Sequence, residues 1–137
     1  MEQNPARKIL FICVHNAGRS QMAAAFFNRD APEGFIGVSA GTEPGEHLHT
    51  EVVASMLEVG IDLSKEQPKK LTSDMVDGAA RAITMGCMDG VCPSTWVPSE
   101  DWDLPDPKGR PLEEVREIRD EIEKRVAGLT RELSSMH

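Results

Sequence analysis

The stretch KILFICVHNAGRSQMAAAFFN, residues Lys8–Asn28, places an apolar run, a polar loop and a run of helix formers in succession. The apolar run Lys8–Cys13 predicts a buried strand, as short apolar runs do in parallel sheets. Val14–Gly18 contains Asn and Gly, which favour a loop. Ser20–Asn28 predicts a helix with one apolar face, formed by Met22, Ala23, Phe26 and Phe27. The chain therefore begins with a strand, a loop and a helix.

The rest of the chain continues this alternation. Further strands are predicted at Phe35–Ala40 and Arg81–Met85, with a short fourth strand within Trp96–Leu104. Further helices are predicted at Thr50–Val59, with Thr50 as N-cap and Gly60 as C-cap, and at Leu71–Asp77 and Pro111–Leu133. This order predicts an α/β fold, a three-layer sandwich with a central four-stranded parallel sheet flanked by helices. Ligands bind such sheets at the carboxyl ends of the strands, where Cys13 and Cys87 both lie.

Size and composition limit the classes of protein to consider. The chain has 137 residues, and residues 1–137 are expected to form a single domain. No apolar stretch approaches the roughly 20 residues of a membrane span, and no signal-peptide pattern is present, so a cytoplasmic monomer is expected. The net charge of −8 argues against binding to nucleic acid or to an anionic membrane surface.

The segment Cys13–Ser20, CVHNAGRS, is the candidate oxyanion site. Backbone N–H groups of such a loop and of the following helix N-terminus can converge on a tetrahedral anion. Arg19 can bind two anion oxygens, and the same positive field favours the thiolate of Cys13, to which Ser20 can donate. The alternative is a buried cysteine followed by a turn. The predicted oxyanion-binding residues are Val14, His15, Asn16, Ala17, Gly18, Arg19 and Ser20.

Four segments, ILFICVHNAGRSQMA, VSAGTEP, EVGIDLS and WDLPDPKG, together resemble the arsenate reductases that share the low-molecular-weight protein tyrosine phosphatase fold. The resemblance covers nearly the whole chain. It implies that Cys13 attacks arsenic, Arg19 binds the oxyanion, Asn16 shapes the loop and Ser20 supports the thiolate. It also implies that Asp106 is the general acid. From the residues alone, a carboxylate in this Pro-rich loop equally fits a turn.

The resemblance also gives the two downstream cysteines a role. It implies that Cys87 attacks Cys13 to release arsenite, that Cys92 then attacks Cys87, and that thioredoxin reduces the resulting disulfide without another cofactor. The residues alone leave two alternatives open, a pair of buried thiols or a metal site with His15. No metal is expected, because the spacing differs from the Cys-x2-Cys of zinc sites.

One departure from the family and two rival functions complete the expectations. Some members bind potassium through acidic side chains, but the matching positions here are Ala24 and Lys69. The ion site is therefore expected to be absent, with the Lys69 ammonium in its place as a hypothesis. The rivals are a phosphatase of the same fold and a non-enzymatic protein that binds arsenite or a metal through three thiols. The tyrosine phosphatases of this fold usually carry aromatic residues beside the acid, where they contact a flat substrate. Here Pro107 is followed by Lys108 and the chain has no tyrosine, so the reductase is favoured.

Overall fold

The computed structural model describes residues 7–85 and 99–135, in which strands and helices alternate. The elements in chain order are β1 (Arg7–Cys13), α1 (Arg19–Asp30), β2 (Phe35–Gly41), α2 (Thr50–Leu57), α3 (Ser73–Asp77), β3 (Ala79–Thr84), β4 (Ser99–Asp101) and α4 (Leu112–Ser134). Within these ranges the four strands form one sheet in the order β2-β1-β3-β4, and every pairing is parallel. The predicted α/β fold with a central four-stranded parallel sheet is confirmed.

Helices cover both faces of the sheet. Strand β1 is buried at five consecutive residues, and its side chains alternate between the two faces. Phe11 and Cys13 join the larger apolar cluster, to which α1, α2 and α4 contribute. Leu10 and Ile12 join a smaller cluster on the other face with Val76 of α3. The result is the expected three-layer arrangement, with β1 at its centre.

The outer edge of the sheet at β2 is closed by a side chain. The amide of Asn28 donates to the carbonyl of Gly37 at 2.9 Å, and its oxygen accepts from the N–H of Gly37 at 2.7 Å. These two bonds imitate one residue of a neighbouring strand, so the edge strand is held against α1.

Helix α2 departs from its predicted limits at both ends. Thr50 is not the N-cap: its hydroxyl donates to the carboxylate of Glu51, and His49 holds the cap position. The helix ends at Leu57 rather than Val59. Gly60 then adopts a φ of 86°, and its left-handed conformation reverses the chain, as glycine does after many helices.

Other predicted limits shift by one to three residues. Helix α1 begins at Arg19 rather than Ser20 and continues to Asp30. Helix α3 begins at Ser73 rather than Leu71, because Thr72 is the N-cap and accepts the N–H of Met75 at its side-chain oxygen. The third strand was predicted at Arg81–Met85 and lies at Ala79–Thr84, while the fourth lies at Ser99–Asp101 inside its predicted range. The last helix matches its prediction to within one residue at each end.

The carboxyl ends of the parallel strands lie at one edge of the sheet and position the candidate site there. Cys13 ends β1 and is directly paired with Gly41, the last residue of β2. On the other side, the hydroxyl of Thr84 donates to the carboxylate of Asp101 at 2.6 Å and joins β3 to β4. In the part of the chain that the structure describes, no helix is long and apolar enough to cross a membrane.

Candidate active site

The loop between β1 and α1 turns its carbonyl groups outward. All six carbonyls from Cys13 to Gly18 accept hydrogen bonds of 2.8–3.3 Å from groups outside the loop, namely the backbone N–H groups of Thr42, Glu43, Gly45, His49 and Met22 and the side chain of Gln21. Within residues 7–85 and 99–135, the N–H groups of residues 14 to 18 donate to no protein acceptor. The loop therefore leaves successive N–H groups for a ligand, as an anion-binding nest does.

Asn16 gives the loop its curvature. It is fully buried and has a φ of 51°, the left-handed conformation that asparagine tolerates better than most residues. A left-handed residue within a loop turns neighbouring N–H groups towards the same point. Asn16 therefore lies within the loop in this conformation, and its loop-shaping role stays a prediction.

The thiol of Cys13 lies at the floor of the loop. Cys13 is 2% exposed, and its Sγ is 2.9 Å from the hydroxyl of Ser20. The amide of Asn16 donates to the same hydroxyl at 2.7 Å. Ser20 belongs to the first turn of α1, so the sulfur lies near the positive end of that helix.

Arg19 is held at the edge of the loop by the segment before α4. Its side chain is 8% exposed and donates to the carbonyl of Leu104 at 2.9 Å. A second guanidinium nitrogen lies 3.9 Å from the carboxylate of Asp106. Because this planar group is fixed by a backbone oxygen, it can present its other N–H groups to an anion with little loss of conformational freedom.

Asp106 forms a turn and also lies beside Arg19, and its role as the general acid stays a prediction. One carboxylate oxygen accepts the backbone N–H of Lys108 at 3.0 Å, as in a turn. The other oxygen is the one that faces Arg19, so the same carboxylate lies beside the anion loop. The adjoining Pro107 packs on the loop so closely that a Cβ at Gly18 would lie 2.7 Å from its Cγ. The structure therefore brings Cys13, Arg19 and Asp106 to one edge of the sheet.

His49 also borders the loop, although no sequence motif marks it. Its ring lies beside Gly18, and its backbone N–H donates to Ala17 at 3.1 Å. Burial lowers the pKa of His49 below its ordinary value, while the charge of Asp106 opposes that shift. A lowered pKa keeps the imidazole neutral at pH 7.

Gly41 is a second residue that sequence motifs do not assign to the site. A Cβ on Gly41 would lie 2.7 Å from the carbonyl oxygen of Val14 and 2.9 Å from the backbone nitrogen of Asn16. In the sequence, Gly41 follows a predicted strand and lies within the segment VSAGTEP, which gives it no role in the site. Its meaning depends on the parallel pairing of Gly41 with Cys13, which the sequence does not display.

Ala24 and Lys69, the positions at which the sequence predicts the loss of an ion site, line one cavity beside α1. Ala24 and Lys69 border this cavity of about 210 Å³ together with Gln21, Ser39 and Glu66. The side chain of Ala24 carries no oxygen or nitrogen atom, and the absence of an ion site here stays a prediction. The replacement of the ion by the Lys69 ammonium stays a prediction.

Cys87 and Cys92 lie outside the described residues, so their predicted relay with Cys13 stays a prediction. Trp96, where the range of the predicted fourth strand began, also lies outside them. Among residues 7–85 and 99–135, no group of three His, Cys, Asp or Glu side chains has the arrangement of a metal site.

Comparison with known proteins places the chain in a family. The sequence profile described as "Low molecular weight phosphotyrosine protein phosphatase" matches residues 8–136. A protein of Halobacterium salinarum named "Putative arsenate reductase" is 41% identical over 134 residues, which cover 94% of each chain. The "Glutaredoxin arsenate reductase" of a Synechocystis species is 34% identical, over 93% of this chain and 99% of that protein.

A solved structure gives the same result. The thioredoxin-dependent arsenate reductase of Corynebacterium glutamicum superposes with a TM-score of 0.84 at 34% identity. The match covers 99% of this chain and 66% of that chain, so the chain spans slightly less than two thirds of that relative. The chain belongs to the low molecular weight phosphotyrosine protein phosphatase family, and within it to the group of arsenate reductases. The resemblance stated from the sequence is therefore confirmed.

Proposed function

We propose that this protein reduces arsenate to arsenite, with Cys13 as the nucleophile. The observation that carries the proposal is the loop of outward-facing carbonyls that begins at Cys13, whose sulfur lies at hydrogen-bond distance from Ser20. Inward N–H groups and the Arg19 guanidinium would hold three arsenate oxygens, so that arsenic lies above the thiolate. The family relationship to arsenate reductases supports the same substrate.

The first chemical step forms a bond between the Cys13 sulfur and arsenic. The thiolate attacks arsenic(V), and the opposite As–O bond breaks. Asp106 in its protonated form gives its proton to the leaving oxygen, which departs as water. The product is an arsenic(V) adduct on Cys13, and no electron has yet been transferred to arsenic. The Asp106 carboxylate, which lies beside Arg19 at this edge, is the group proposed for the proton transfer.

The second step carries out the reduction. The Cys87 thiolate attacks the Cys13 sulfur and forms a disulfide, and the electron pair of the S–As bond goes to arsenic. Arsenic(V) becomes arsenic(III) and leaves as arsenite, while the two sulfurs are oxidised. Cys92 then attacks Cys87, which frees Cys13 as a thiolate and leaves a Cys87–Cys92 disulfide. Each exchange requires an accessible thiolate.

An external thiol reductant must return the two electrons. One relative is named for thioredoxin and another for glutaredoxin, so both donors are represented among the proteins this chain resembles. We propose thioredoxin, because a third cysteine at Cys92 allows the disulfide to move away from the nucleophile before a protein dithiol attacks it. We also propose that residues 1–137 form a single domain that acts as a monomer. A cytoplasmic location is proposed because cytoplasmic reductants keep such thiols reduced.

The test is product analysis. The protein is incubated with arsenate, thioredoxin, thioredoxin reductase and NADPH, and arsenite is measured against phosphate released from a phosphoester. The proposal predicts catalytic arsenite formation that consumes one NADPH per arsenite. Phosphate release without arsenite would instead identify a phosphatase.

Two variants separate the remaining alternatives. Cys92→Ser should make at most one arsenite per protein with thioredoxin, whereas sustained turnover would remove the relay. Arg19→Ala should abolish reduction. A protein that only binds arsenite through thiols would keep its arsenite affinity in Arg19→Ala and would show no turnover in either form.

A further inference from the structure

We propose that Gln21 is a positioning residue that fixes the direction of the hydrogen bond ending on the Cys13 sulfur. Gln21 does not touch the sulfur. It is a buried residue of α1, 3% exposed, and its amide contacts Asn16 and the carbonyl of Gln67. The inference concerns how Cys13, the nucleophile of the proposed function, is kept as a thiolate, and it can be tested without arsenate.

The orientation of the Gln21 amide is determined by backbone groups. Its nitrogen lies 3.3 Å from the carbonyl oxygen of Asn16 and 3.1 Å from the carbonyl oxygen of Gln67. Carbonyl oxygens only accept hydrogen bonds, so the group facing them must be the NH₂ of Gln21. The same NH₂ lies 2.9 Å from the side-chain oxygen of Asn16.

The orientation of the Asn16 amide is determined by two donors together. Its side-chain oxygen accepts from Gln21 and also from the backbone N–H of Lys69 at 2.8 Å. With the oxygen engaged by two donors, the NH₂ of Asn16 must face the hydroxyl of Ser20, at 2.7 Å. The two buried amides therefore have one arrangement that satisfies every group.

The last hydrogen bond of the chain joins the Ser20 hydroxyl to the Cys13 sulfur, and its direction follows from the others. The Ser20 oxygen accepts from Asn16, and a hydroxyl has a single proton. That proton is directed to the Cys13 sulfur, 2.9 Å away. A thiolate accepts it well, whereas a protonated thiol would compete for the same position. Gln21 thus favours the thiolate through Asn16 and Ser20, over a chain of aligned bonds.

Replacing the donor by an acceptor of the same shape should reverse this chain. In Gln21→Glu the new carboxylate needs donors and repels the Asn16 oxygen, so the Asn16 amide is expected to turn its NH₂ towards it and to give up the hydrogen bond from the backbone N–H of Lys69. The Asn16 oxygen then faces Ser20 and takes the hydroxyl proton away from sulfur. Loss of one hydrogen bond to a charged group corresponds to about one to two pH units in the midpoint of thiolate formation.

The experiment measures the rate of Cys13 alkylation by iodoacetamide against pH, in the full chain carrying Cys87→Ser and Cys92→Ser. The Gln21→Glu midpoint is expected to rise by about one to two pH units. Gln67→Glu is the matched charge control, because it adds a carboxylate on an exposed side chain of the segment that Gln21 contacts. Its midpoint should move by much less.

A double-mutant cycle with Ser20→Ala distinguishes positioning from simple charge repulsion. The proposal predicts that Gln21→Glu raises the midpoint in the presence of Ser20, and that in the Ser20→Ala background its effect falls to that of Gln67→Glu. An equal shift in both backgrounds would overturn it, since the new charge would then act directly on sulfur. A wild-type midpoint in Gln21→Glu would also overturn it.

A second measurement covers the case in which Gln21→Glu fails to fold. In protein labelled with ¹⁵N at Asn and Gln, hydrogen exchange of the Asn16 side-chain NH₂ is followed in wild type and in Gln21→Met. The proposal predicts at least about tenfold faster exchange in Gln21→Met, because Asn16 loses one of the two donors that hold its oxygen. Unchanged exchange would overturn it. Neither measurement depends on arsenite formation by wild type, so failure of this proposal can be distinguished from failure of the proposed function.

Discussion

Gly41→Ala should damage the active site without touching any reacting group. The added methyl would lie 2.7 Å from the carbonyl oxygen of Val14, 2.9 Å from the nitrogen of Asn16 and 3.0 Å from its Cβ. Two of these are backbone atoms of the anion loop. Gly41 itself is held in place, because its N–H donates to the carbonyl of Lys69 at 2.8 Å and its carbonyl accepts the N–H of Leu71 at 2.9 Å. The loop must therefore move.

The size of the movement follows from these distances. Ordinary contact with a Cβ begins at 3.4 Å, so the Val14 oxygen must retreat by about 0.7 Å. Overpacking of this kind costs about 1–3 kcal/mol of folding free energy. Misplacement of a catalytic group by about 1 Å costs on the order of 10²-fold in rate. We expect kcat/KM for arsenate to fall by one to two orders of magnitude, with a smaller relative loss of stability, since the strain is local.

The assay is NADPH oxidation coupled through thioredoxin, together with urea unfolding of the same samples. Gly45→Ala is the matched control: it lies just downstream, and its added methyl would meet nothing closer than 4.0 Å. It should keep kcat/KM within about twofold, because no loop atom has to move. The packing argument is refuted if Gly41→Ala retains wild-type kcat/KM, or if Gly45→Ala loses as much.

Three further predictions address other parts of the structure. Arg19→Lys should lower kcat/KM by about 10²-fold in the coupled assay, because an ammonium cannot bind the Leu104 carbonyl and two anion oxygens in one plane; a loss below threefold would contradict this. Asp106→Asn should lower kcat by about 10²–10⁴-fold while Cys13 alkylation continues, since only proton donation is removed; unchanged kcat would exclude Asp106 as the acid. Arg116 and Arg119 hold the pKa of Glu58 at about 2, below its ordinary 4.5. Its stabilising contribution is therefore present above pH 4.5 and lost as pH falls towards 2, so melting temperatures of wild type and Glu58→Gln should converge over that range; a constant difference would refute the assignment.

The local order of strand, loop and helix was accessible from the sequence, because it depends on neighbouring residues. Three features can be recognised within one short segment each: the apolar period of α1, the spacing from Cys13 to Arg19 in the loop, and the glycine after α2. The same holds for Asp106, whose turn follows from its own Pro-rich surroundings. Helix limits were less accurate, since Thr50 and Thr72 are equally plausible caps by residue type and only Thr72 accepts a backbone N–H.

What the sequence could not supply are contacts between distant segments. The Gln21 amide reaches a carbonyl 46 positions away, and the Asn16 oxygen accepts an N–H 53 positions away. A glutamine within a helix-forming run gives no signal of such contacts. Gly41 matters only because β2 pairs with β1 in a register that ends at Cys13. Each of these depends on tertiary packing, which residue type and spacing do not encode by themselves.

The central claim is that Cys13 is held as a thiolate inside an anion-binding loop. The most direct measurement is the alkylation rate of Cys13 at pH 7 in the full chain carrying Cys87→Ser and Cys92→Ser, with and without inorganic phosphate. We predict rapid alkylation that phosphate suppresses in a saturable manner, because phosphate bound in the anion loop would block the alkylating reagent from the Cys13 sulfur. Slow alkylation typical of an unactivated thiol, with no effect of phosphate, would contradict the claim.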